Sequence, residues 1–146
     1  MEITGEEVID LMNEFHEVVR VDKSNVQGQK ELFLYPDPKL FILHGKDLTL
    51  EELSKIHQNL EDELYIPQKQ WTLTPLSKDP QKARFVGALY WEGTIKNTSD
   101  RLKCLVGEDW IVQRVPSGKL KIAVYTNHFI YFLPDSCQIP DPSIVD

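Results

Sequence analysis

Near Pro67 the rhythm of apolar residues changes. Before it they recur every three or four positions, and after it every second position. The first spacing lines one face of a helix, and the second lines one face of a strand. The chain therefore reads as α+β, with helices first and a sheet behind them. Thr4 with Glu7 forms a capping-box pattern, and Val8, Leu11, Met12, Phe15, Val18 and Val19 make a stripe. Together they predict an amphipathic helix from about Thr4 to Arg20. Thr49 with Glu52 opens a second helix, which Leu50, Leu53, Ile56, Leu60 and Leu64 carry to just before Pro67. Its outer face, with Glu51, Glu52, Lys55, Gln58, Glu61 and Asp62, reads as solvated. His16 and His57 fall on these helices and read as solvated or capping residues. Between the helices, Leu40-Phe41-Ile42-Leu43 reads as a short strand buried on both faces, ending at His44-Gly45.

Behind Pro67 the alternation predicts four strands, about Gln70 to Ser77, Arg84 to Lys96, Leu102 to Val115 and Lys119 to Phe132. Short connectors rich in Asp, Asn, Pro, Ser and Gly join them, so neighbours should pair as antiparallel hairpins. Gly87, Gly93 and Gly107 are placed to let long strands bend.

The 146 residues fit one domain, read as residues 1–134, followed by a proline-containing tail over 135–146. The formal charge is −7 and the basic residues are scattered, which argues against nucleic acid and against an anionic membrane surface. No apolar run approaches the roughly 20 residues of a membrane-spanning helix. The acidic start Met1-Glu2-Ile3-Thr4 predicts no secretory signal, and Asn97-Thr98-Ser99 then reads as a hairpin tip rather than a glycosylation site. Cys104 and Cys137 read as free thiols of a reducing, cytoplasmic protein. There is no CxxC pair, so a metal site has no support, and no cofactor is expected.

Alternation also assigns faces. On the third of the four strands Leu102, Cys104, Val106, Trp110 and Val112 share a face that Glu108 interrupts. A bulge at Gly107 would put Asp109 there instead, so one carboxylate should meet apolar surroundings. On the last strand Thr126 and His128 fall on the face of Leu120, Ile122, Val124, Ile130 and Phe132. On the second, Phe85, Leu89, Trp91 and Ile95 make the apolar face. A buried ionisable group must pair or change protonation, so a histidine and a carboxylate on a concave sheet would satisfy each other or serve a ligand. His44, Asp109 and His128 are the catalytic candidates. Tyr35, His44, Trp71, Trp91, Glu108, Trp110, Thr126 and His128 are the candidate pocket residues.

The order of elements, with the helix opening Leu48-Thr49-Leu50-Glu51-Glu52-Leu53 and the hairpin from Val106 to Ile122, resembles the nuclear transport factor 2-like superfamily of SnoaL-like cyclases and ketosteroid isomerases. The resemblance spans about residues 4 to 132. It implies a cystatin-like α+β cone, in which helices pack into a strongly curved antiparallel sheet around an internal apolar pocket. It also implies a small apolar ligand and a homodimer. A histidine–aspartate dyad would then come from His44 or His128 with Asp109, and the acid position from Glu108 or Asp109. Three readings stay open: a small-molecule-binding protein, a proton-transfer lyase or isomerase acting on a small apolar or cyclic substrate, and a dimeric interaction module.

Overall fold

The computed structural model describes residues 2–43 and 45–137. Helix α1 runs Gly5–Val21, with Thr4 as its N-cap in a complete capping box with Glu7. A short α2 (Val26–Lys30) follows. Next come strand β1 (Lys39–Ile42), the two-residue β2 (Leu48–Thr49) and α3 (Leu50–His57), which opens on the capping box of Thr49 and Glu52. Five further strands complete the chain: β3 (Leu60–Pro67), β4 (Thr72–Lys78), β5 (Gln81–Ile95), β6 (Arg101–Arg114) and β7 (Leu120–Phe132).

All seven strands form one sheet, ordered β2-β1-β7-β6-β5-β3, with β4 also on β5. The long strands β5, β6 and β7 pair antiparallel over almost their whole length. The sheet is mixed rather than wholly antiparallel, because β1 runs parallel to β7. It curls as a half-barrel around α1, whose Val8, Leu11, Met12, Phe15 and Val19 are buried against it. Phe15 meets Phe33 and Tyr125 at 5.8 Å and Trp110 at 6.4 Å between ring centroids. A fully buried phenylalanine contributes about 1.5–3 kcal/mol, so this aromatic cluster anchors the helix in the sheet. Arg114 on β6 reaches back to Glu7 at 3.1 Å and ties the start of α1 to the sheet. Gly118 closes the β6–β7 hairpin at φ +92°, a conformation that favours glycine.

Several sequence expectations need correction. The second helix stops at His57, and residues from Leu60 onward leave it to pair with β5. The apolar spacing of Leu60 and Leu64 fits a helix locally, but the free edge of β5 offers a ladder that α3 cannot. Asp62 takes a positive φ of 52° at a bulge, after which Leu64 faces outward at 40% exposed. Strand β1 is not buried on both faces: Leu40 and Ile42 point in, and Phe41 is 40% exposed. Strand β5 keeps its alternation, with Phe85, Leu89 and Trp91 buried.

Strand β7 does not keep its phase. Ala123 and His128 are extra residues at two register shifts, between Val112/Ile111 and Glu108/Gly107 of the partner strand. They turn Ile122, Tyr125 and Asn127 inward. Thr126, opposite Asp109, belongs to the other face. The tail expected over 135–146 lies outside the described residues from 138 on. Before that point, Ser136 and Cys137 hydrogen-bond to the main chain of Lys103 and Arg101.

Candidate functional site

A cavity of about 110 Å³ lies between the helices and the inner face of the sheet. Its walls are mostly apolar: Phe15 and Val19 from α1, Leu53 and Ile56 from α3, Leu89 from β5, Val106 from β6 and Ile130 from β7. An engineered apolar cavity of about 150 Å³ accepts benzene, so this space suits roughly one ring. Two polar clusters interrupt the walls.

The first cluster is centred on Glu63. The bulge in β3 turns this residue and Tyr65 inward, and the Glu63 side chain is completely buried. Its Oε1 accepts hydrogen bonds from the Tyr65 hydroxyl at 2.8 Å and the Trp91 indole at 3.0 Å, and it lies 2.6 Å from His57 Nδ1. The Lys23 ammonium lies 2.9 Å from Oε2, an ion pair set off the hydrogen-bond direction. Burial pushes the Glu63 carboxyl up, but His57, Lys23 and Tyr65 more than offset it and hold it at about 2. Glu63 is therefore an anion over the whole neutral range. An ionised carboxylate can only accept, so His57 Nδ1 turns an N–H toward it and the ring is held in that orientation. Lys23 also hydrogen-bonds the Leu60 carbonyl, and its own carbonyl accepts from Ser54 Oγ, so the loop after α1 is fastened to both α3 and β3.

The second cluster is centred on Glu108. Strand β6 keeps its alternation through Gly107, so Glu108 points inward and Asp109 outward. Glu108 is 1% exposed, and its Oε2 accepts from the Trp110 indole and the Asn127 amide, both at 2.8 Å. Burial pushes its carboxyl up to about 8, and those two hydrogen bonds recover only part of the loss. At neutral pH Glu108 is an uncharged acid and hence a hydrogen-bond donor. Tyr125 lines the same wall as a neutral phenol, its hydroxyl pushed well above its ordinary value by burial and by Glu108.

Glu108 thus lines the cavity as a neutral acid, while the anionic Glu63 lies behind the lining residues His57, Tyr65 and Trp91. Such a split separates the roles of acid and base at an enzyme site. Cys104 also lines the cavity, but burial raises its thiol to about 12, so it is no nucleophile at neutral pH. Among the described residues there is no group of three or more His, Cys, Asp or Glu side chains that could hold a metal ion.

The residues singled out in the sequence are dispersed. Trp91 and Glu108 line the cavity, and Trp110 supports it from the core through its bond to Glu108. Trp71 packs on Gly5 and Phe85, and Tyr35 is 58% exposed. Asp109 forms a two-pronged ion pair with Arg84 at 2.6 and 2.9 Å, which holds its carboxyl below its ordinary value. His128 is half-buried beside Phe129 at the bulge, and neither it nor Thr126 lines the cavity. His44 lies outside the described residues.

His16 and His57 are not solvated as expected. His16 is 6% exposed, and the His57 side chain is 14% exposed. No local pattern in the sequence signals the dyad. Plain alternation over residues 60–67 puts Leu60, Leu64 and Ile66 on one face and Glu63 and Tyr65 on the other, and only the bulge at Asp62 brings Glu63 to the side of Leu60.

No family model matches the sequence, and no curated protein is similar to it. Solved structures are similar in fold. A conserved protein from Planctomyces limnophilus superposes with a TM-score of 0.66 at 14% identity, over 87% of this chain and 95% of that one. A hexachlorocyclohexane dehydrochlorinase from Novosphingobium barchaimii gives 0.61 at 10% identity, over 94% and 100%. A nuclear transport factor 2-like protein from Cytophaga hutchinsonii gives 0.61 at 12% identity, over 90% and 100%. The chain has the cone-shaped α+β fold of the nuclear transport factor 2-like superfamily.

Proposed function

We propose that this protein binds a small, largely apolar ring compound in the cavity and moves a proton on it, as a lyase or isomerase. The observation that carries this reading is the 2.6 Å contact between His57 and the ionised Glu63 at the wall of an apolar cavity. His57 Nε2 takes a proton from carbon, and Glu63 stabilises the imidazolium that forms. Charge that develops on a neighbouring carbonyl oxygen is met by uncharged donors, the Glu108 carboxyl and the Tyr125 hydroxyl. Elimination chemistry in one neighbour of this fold, the dehydrochlorinase, is compatible with this division of roles.

The test uses cyclohexanone in deuterated buffer, with exchange at its C2 protons followed by ¹H NMR. The protein should accelerate exchange, and His57→Gln should remove roughly 10²- to 10⁴-fold of that acceleration. Exchange at the rate of buffer alone contradicts the reading.

An observation outside the cavity favours assembly as a homodimer. Leu64, Ile66, Phe129 and Tyr131 are 36–56% exposed, on the strands of the sheet that encloses α1. Exposed apolar side chains grouped on one sheet support burial against a second copy. No helix among the described residues is long and apolar enough to cross a membrane. The two free thiols support a reducing, cytoplasmic setting.

A further inference from the structure

The dyad and the acid leave one polar side chain of the cavity without a role. His16, on the inward face of α1, lines the cavity at 6% exposed. Its Nδ1 is fully buried and has no hydrogen-bond partner among the described residues. The ring is stacked on Tyr65 at 4.3 Å and 15°, and Phe15 flanks it at 5.8 Å. These rings hold the imidazole plane while leaving its edge unspent. Burial, and next the neighbouring His57, keep it uncharged, at about 3.

Buried polar atoms in folded proteins have partners, and an exception asks for one. A neutral imidazole carries one donor and one acceptor, and a half-turn of the ring exchanges the two nitrogens. No side chain among the described residues hydrogen-bonds this nitrogen, and the cavity that His16 lines is where a partner can reach the ring. This partner must also be uncharged. His16 has no charge to offer, and Lys23 already balances Glu63, so a charged ligand group would be desolvated without compensation. A hydroxyl meets both demands, because it donates and accepts.

We propose that His16 is the specificity-determining residue of the cavity and selects uncharged single-ring ligands that carry a hydroxyl group. This rests on the reading of the cavity as a ligand site.

The probes are phenol and toluene, which share a ring and differ at a hydroxyl against a methyl. Their dissociation constants are measured by NMR titration against the wild-type protein and His16→Phe, which keeps the aromatic stack and removes the polar edge. The ratio of the two constants should move in favour of toluene by roughly 5- to 10-fold in the variant, the worth of one hydrogen bond. Toluene should bind the variant at least as well, and its melting temperature should not fall, because an unpaired buried nitrogen has gone. His16→Leu is read the same way should phenylalanine overpack the site. His16→Gln, which keeps a donor and an acceptor, should restore part of the preference for phenol. An unchanged ratio in a folded His16→Phe overturns this assignment and leaves the cavity standing as a ligand site. Failure of both probes to bind the wild-type protein removes both.

Discussion

His57 Nδ1 lies 2.6 Å from Glu63 Oε1, although the first residue ends a helix and the second lies inside a strand. The turn at Gln58–Asn59 and the bulge at Asp62 bring the two together. A fully buried carboxylate is tolerated there because His57, Tyr65, Trp91 and Lys23 all face it.

That pairing makes Glu63 a pH-dependent contributor to stability. Its carboxyl sits at about 2 in the fold against an ordinary 4.5. The stabilisation is therefore complete above the ordinary value and is lost as pH falls through about 2. Glu63→Ala, which strands Lys23 and His57, should cost roughly 3 kcal/mol at neutral pH. In denaturant titrations the gap between wild type and variant should narrow as pH is lowered from 6 toward 2. A gap that stays constant would show that the carboxylate charge does no stabilising there.

Glu108 should behave in the opposite sense. Its carboxyl is raised to about 8, so the folded state keeps a proton that the unfolded chain releases above about 4.5. Stability then falls as pH rises from that value, and the full penalty is present above about 8. Glu108→Gln mimics the protonated acid and still accepts from Trp110 and Asn127. It should be more stable than the wild type at pH 9, by at least about 1 kcal/mol, and nearly equal to it at pH 4. Proton exchange on a bound ketone should fall as pH passes about 8 in the wild type, because the neutral donor is lost. An exchange rate level from pH 7 to 9.5 contradicts this role.

Gly5 offers a packing test with an unexpected sign. In an exposed helix, replacing glycine by alanine stabilises by about 1 kcal/mol. Here an added Cβ would run into the Trp71 ring. Gly5→Ala should destabilise by roughly 1–3 kcal/mol, and Gly5→Ala with Trp71→Leu should recover most of that loss. A stabilised single variant in thermal melts would show that Trp71 does not cover the start of α1.

The proposed dimer is tested by sedimentation velocity. The protein should sediment as a dimer, and Phe129→Glu combined with Tyr131→Glu should yield a folded monomer. Both side chains are already at least 36% exposed, so the change should leave the protomer's fold intact. A wild-type monomer at high concentration removes the dimer.

The change of period near Pro67 made the α+β class legible, and both capping boxes appear where Thr4 and Thr49 place them. That one carboxylate of β6 meets apolar surroundings was legible too, and the choice of Glu108 over Asp109 follows from β6 alternating through Gly107 without a bulge against β5. What the local pattern concealed lay at bulges. His128 and Ala123 each shift β7 by one residue, and a shift of one moves every later side chain to the opposite face. Residues 60–64 carry helical spacing but are claimed by the edge of β5, a pairing across some thirty residues that no local pattern reports. His57 and Glu63 were both hidden by that one misreading. Placed on a single solvated helix, they had no reason to meet.

The proposed proton transfer requires Glu63 to hold the His57 ring with its proton on Nδ1 and a bare Nε2. Long-range ¹⁵N–¹H correlation spectra of the protein at neutral pH report which ring nitrogen carries the proton. His57 should be the Nδ1–H tautomer, with that order lost in Glu63→Ala. A proton on His57 Nε2 in the wild-type protein would contradict it.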